Sequence, residues 1–243
     1  MQLSLTTDRR LDLAAIEAAL CAVQRDFQKI NALLQSRRDS MDDRVVDNML
    51  TGYAYVDDAL ARGTNFFAMG NLKHLLELNA RVLCGTDPQE RAESAAHLRL
   101  TEEHFYDDQR GGVRDIIEWY RLHRDESVWK RAAGVYIRVL SEPQLFIEGN
   151  HRTGALIMSY ILASEYRPPF VLTVDNARGY FDPSTLITKT KKSSFAMIYR
   201  MPGIKKSFAA FLKQQTSDSF LAGPKPRADD AVPLVGSGEG RLR

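Results

Sequence analysis

The chain has 243 residues, 44% of them apolar, which is enough to bury a substantial core. Its formal net charge of +2 is small and its Lys and Arg are spread along the chain, so nucleic acid is not demanded as a partner. No apolar run reaches membrane-spanning length, Met1-Gln2-Leu3-Ser4 does not open a signal peptide, and Cys21 and Cys84 read as free thiols; a cytoplasmic protein without a membrane partner is expected.

Leu13, Ile16, Leu20, Val23, Phe27, Ile30 and Leu34 alternate steps of three and four, which predicts one long helix over 11–36. That stripe serves either to pack the helix along its own domain or to pair two copies in a homodimer. Ser40 with Asp43 resembles a capping box and opens a second helix that Gly63 ends. Leu72, Leu75, Leu76, Asn79, Val82 and Leu83 give a third, closed by Gly85 and Pro88.

Over 97–112 the helical period is lost. His97-Leu98-Arg99-Leu100-Thr101 alternates and Gly111-Gly112 breaks the chain, so a short hairpin is expected there. Val113, Ile116, Ile117 and Tyr120 begin another helix, and Ser127 can cap the next, which Pro143 stops. Leu156, Ile157, Tyr160 and Ile161 mark a central buried helix that Pro168-Pro169 terminate. After an extended linker over 166–173, 184–200 and 204–214 look helical on either side of a Pro202-Gly203 break. Residues 216–243 carry no apolar period and are expected to be a disordered tail. About eight helices and almost no strand make the class all-α.

One stretch reads as chemistry: Phe146-Ile147-Glu148-Gly149-Asn150-His151-Arg152-Thr153-Gly154. It lies where one helix gives way to the next. Backbone amides at a helix start, joined by the planar fork of Arg152, suit a phosphate, and Glu148 could hold Mg²⁺ beside it. Gly149 and Gly154 have the glycine spacing of a P-loop, but Ala155-Leu156 stand where Lys-Ser/Thr belongs and no strand precedes them.

The run Pro143 to Ala155 resembles the signature of the Fic family, His-Pro-Phe-x-Asp/Glu-Gly-Asn-Gly-Arg-x-x-Arg. Flanking segments are similar too, from Ala133 to Leu140 and from Leu156 to Phe170, and the resemblance covers roughly 65–213. It implies a Fic-type helical bundle with a small β-hairpin flap near 97–110, preceded by a helical extension over 1–64. Family members transfer AMP or a related moiety from a nucleotide to a protein hydroxyl. By this resemblance Phe146 anchors the loop, Glu148 is the metal ligand, and Gly149, Asn150 and Arg152 bind phosphate.

Three departures from the pattern matter. Gln144 stands at the place of the catalytic His, and an amide takes no proton near neutral pH. His151 replaces the second glycine and is a candidate relocated base. Ala155 replaces the second Arg. No Ser/Thr-x-x-x-Glu-Gly/Asn inhibitory motif is present in the sequence. The expected function is a degenerate Fic-domain protein that binds ATP or another nucleotide, with Mg²⁺, and has weak or no AMP-transfer activity. Two alternatives stay open: an active transferase that modifies a target protein with atypical residues, and a non-enzymatic helical interaction module.

Overall fold

The structure, a computed structural model, describes residues 10–222. Eleven α-helices occupy most of them: α1 (Leu13–Leu33), α2 (Asp43–Ala61), α3 (Lys73–Cys84), α4 (Pro88–Glu93), α5 (Ala95–Phe105), α6 (Val113–Leu122), α7 (Val128–Leu140), α8 (Asn150–Ser164), α9 (Ala177–Thr188), α10 (Phe195–Tyr199) and α11 (Met201–Gln215). Pairing between extended segments is limited, among the described residues, to single bridges at Leu11–Leu221 and Glu142–Lys191. The fold is all-α. No described helix is long and apolar enough to cross a membrane.

Helix α8 is the axis of the core. Its residues from Thr153 to Ala163 are all buried, which fits a sequence that is apolar around most of its circumference. It packs along α7, whose other side meets α11, while α2 and α3 cover α8 from the opposite direction. Close approach of α7 and α8 depends on Gly154, where an added Cβ would sit 2.8 Å from the Tyr136 ring. A continuous apolar cluster runs from Leu11 through α2 and α8 to Phe220, so no break in packing marks the boundary expected at 64/65.

Several local signals work as the sequence suggests. Ser127 caps α7 by accepting from Lys130 N, and Gly85 closes α3 in a positive-φ conformation. In α2 the cap is Asp42, whose carboxylate accepts from Val45 N, rather than Ser40. The stripe Ile16, Leu20, Val23, Phe27 and Ile30 of α1 is buried within its own chain against α2 and α9. Of the two uses that the spacing allows, the stripe serves packing along its own domain, and nothing supports the alternative of a homodimer through residues 11–36.

Three other expectations are corrected. The segment expected to form a hairpin is α5, followed by a 3₁₀ turn at Asp108–Arg110 and a left-handed Gly111. Its buried face is built from Thr101 and Phe105, with His97 and His104 partly buried, while Leu100 is exposed. A helix whose inner face is half polar carries no apolar period of 3.6. Two helices do meet near Pro202-Gly203, but both residues belong to the first turn of α11, which begins at Met201 rather than 204 and where the missing proline N–H costs nothing. Of the expected tail, Asp218–Phe220 forms a 3₁₀ turn, and the carbonyl of buried Phe220 accepts from Asp12 N at 2.9 Å. The remainder of that expectation, over 223–243, lies outside the described residues.

Candidate functional site

The motif loop spans 141–149 between α7 and α8 and is braced from three sides. Glu142 N donates to Thr190 O at 2.9 Å and Lys192 N donates to Glu142 O at 2.8 Å, fastening its start to the segment after α9. From α5, His104 Nε2 donates to the Gln144 carbonyl at 2.9 Å. From α3, Asn79 Nδ2 donates to the Glu148 carbonyl at 2.9 Å and to Thr153 Oγ1 at 3.0 Å. Phe146 is buried and stacks on Phe105 of α5, as the expected anchor should.

The turn into α8 is made at Gly149, with φ 75° and ψ 8°. A Cβ there would meet Asn79 Nδ2 at 3.0 Å and would force an L residue into the left-handed region. Helix α8 then starts at Asn150 with no side-chain cap. Its first intrahelical bond is Thr153 N to Gly149 O, so no side chain caps the amides of Asn150, His151 and Arg152.

Asn150 itself faces backwards. Its Oδ1 accepts from Phe146 N at 2.9 Å, and its Nδ2 donates to Phe146 O at 2.7 Å and to Gln144 Oε1 at 3.0 Å. The side chain thus holds the loop shape; of the expected anion seat it supplies the backbone amide only. Gln144, where the sequence left a catalytic role open, is a partner in that brace.

Arg152 is half-buried, and Nη1 donates to Val82 O at 3.1 Å at the end of α3. Burial pushes its guanidinium below the usual range, against the opposing pull of Glu148, Asp42 and Asp39. No carboxylate lies within ion-pair distance of it among the described residues. A desolvated cation of this kind gains from any anion that docks beside it. Glu148 is exposed at the surface, and its Oε2 lies 3.9 Å from His97 Nε2. The described residues contain no group of three His, Cys, Asp or Glu that could hold a metal unaided.

His151 turns away from this edge. Its ring lies between Arg38 Nη1, 3.4 Å from Nε2, and the Tyr136 hydroxyl, 3.2 Å from Nδ1. A guanidinium has only protons to give, so Nε2 is the bare nitrogen and Nδ1–H donates to Tyr136. Burial, then the charge of Arg38, pushes the imidazole down to about 4. Tyr180 completes the setting by donating to the His151 carbonyl at 2.7 Å. His151 is a neutral internal residue of a polar network, with its free lone pair taken up by Arg38.

Ala155 is buried in the apolar core, 6% exposed, rather than facing the start of the helix. The structure therefore brings together Gly149, Arg152, Glu148 and the amides of 150–152, and separates His151 and Ala155 from them. Two contributors escaped the sequence reading as site residues. Asn79 interrupts the apolar stripe of α3, a signal that could have marked it. Arg38 stands in a charged loop that gave no signal, yet its guanidinium also donates to Phe181 O, Ser184 Oγ and Thr185 Oγ1.

No family model, no curated protein and no solved structure matches this chain.

Proposed function

We propose that the chain binds a phosphate-bearing ligand, a nucleotide first, at the start of α8, and does not carry out ordinary AMP transfer. The observation that supports this most is the left-handed Gly149 leading directly into an uncapped helix start, with the half-buried Arg152 alongside and no carboxylate paired to it. Helix-terminal amides and the macrodipole favour an anion there. In this reading the exposed Glu148 supplies one carboxylate to Mg²⁺, with phosphate oxygens and water completing the shell. The likeness of residues 143–155 to the Fic signature belongs to the same reading.

The residues present argue against turnover. Gln144 is an amide that braces Asn150, and His151 is held neutral by Arg38 and Tyr136, so neither serves as a base for a target hydroxyl. Losing a positioned base lowers a rate by about 10²–10⁴. Ala155 is buried, so position 155 offers no group to a terminal phosphate. Two free cysteines, Cys21 and Cys84, suit a reducing cytoplasmic setting.

The test is calorimetric titration with ADP, ATP and GTP, with and without Mg²⁺, alongside incubation with labelled nucleotide and cell lysate. Saturable binding without label transfer to protein is expected. Absence of any binding would leave a helical interaction module, and label transfer would make the chain a transferase.

A further inference from the structure

The near-neutral overall charge hides a local asymmetry. Between Asp182 and Asp218 the chain has no acidic residue, while Lys189, Lys191, Arg200 and Lys206 are all exposed. None of these four makes an ion pair among the described residues. The two lysines of the same stretch that are drawn inward, Lys192 and Lys205, are committed to Asp115 and Glu126.

Large apolar side chains are exposed in the same region. Phe195 is 78% exposed, Ile198 65% and Tyr199 76%, all on α10. Directly after them, α9 and α11 enclose a hollow of about 710 Å³ lined chiefly by Pro183, Leu186, Ile204, Phe208 and Phe211, with Arg200 among its lining residues. Singly exposed apolar residues need no explanation, but a run of three beside an apolar hollow does.

We propose that α10 and the α9–α11 hollow form a docking surface for an acidic peptide segment of a partner protein that carries aromatic or aliphatic anchors. Charge complementarity selects the acidic partner: the hollow's lining includes the Arg200 guanidinium, a fork suited to a carboxylate, and Lys189, Lys191 and Lys206 of the same stretch are exposed without an ion pair. Concavity selects a peptide over a bilayer, because a hollow between two helices is filled by an inserted side chain and not by a flat surface. This surface is independent of the start of α8 and stands whether or not a nucleotide binds there.

Fluorescence anisotropy of the full chain tests it, with a labelled peptide of about fifteen residues that carries Leu and Phe at helical spacing and Glu elsewhere. Saturable binding is expected, weakened by added salt and by replacing every Glu with Gln. Phe195→Ser with Tyr199→Ser should weaken it about tenfold, the loss that accompanies a removed interface anchor. Gly203 lines the hollow and an added Cβ there meets nothing within 4 Å, so Gly203→Leu adds bulk at the hollow without a clash, and binding should fall while the fold is kept. Circular dichroism melts confirm that both variants are folded. No saturable binding, equal affinity for a Lys-substituted peptide, or indifference to Gly203→Leu would overturn the proposal. Uptake by phosphatidylserine vesicles that is stronger than peptide binding would overturn it in favour of a membrane.

Discussion

Gln144 Oε1 accepts a hydrogen bond from Asn150 Nδ2 at 3.0 Å, so the side-chain amide of Gln144 is spent holding the shape of the loop. Asn150 in turn bonds both the N–H and the carbonyl of Phe146, deep beneath the turn. A rigid loop rather than a reactive one is the result.

Asn150→Ala should therefore act on stability. It strands two buried backbone groups of Phe146, each worth about 1–3 kcal/mol when left unpaired. Chemical denaturation should show a fall of about 2–6 kcal/mol for Asn150→Ala. Gln144→Ala, which leaves the Asn150–Phe146 bonds intact, should lose no more than about 1 kcal/mol.

Ala155→Arg is the substitution that the motif invites and the fold rejects. Position 155 is buried in the apolar core, so the new guanidinium would lack both water and a counter-charge. A loss of more than about 3 kcal/mol is expected, because an unpaired buried charge is among the costliest changes. The measurement is again equilibrium unfolding, with Ala155→Leu as the control for volume.

His151 makes stability depend on pH with a definite sign. The folded protein holds its imidazole at about 4, whereas the unfolded chain titrates near 6.5. Between these values the unfolded state binds the extra proton, so stability rises with pH there. The contribution is fully present above about pH 6.5 and is lost as the pH falls toward 4, by up to about 3 kcal/mol in all. Comparing wild type with His151→Gln from pH 7.5 to 5 isolates it: the wild-type curve should slope more steeply, and parallel curves would contradict the assignment.

Much of the fold was legible because most helices bury apolar faces. Ser127 marks the start of α7, Gly85 the end of α3, and the stripe of α1 is where its spacing puts it. Helix α5 was not legible, since His97, Thr101 and His104 occupy inner positions while Leu100 faces out. A periodicity argument weighs apolar residues and is blind to a face that is buried through polar contacts. At the site, the Gly149 turn and the buried Phe146 were readable from local chemistry. The inward course of His151 was not, because it depends on Arg38, 113 residues earlier in the chain.

Nuclear magnetic resonance of the isotope-labelled protein during titration with ADP tests the central claim most directly. The account predicts that the backbone amide signals of Asn150, His151 and Arg152 shift together and saturate, and that Arg152→Gln weakens the response about tenfold, as expected for a lost charge-assisted contact. Signals that stay fixed at these three amides while others move, or no shift at any nucleotide concentration, would contradict it.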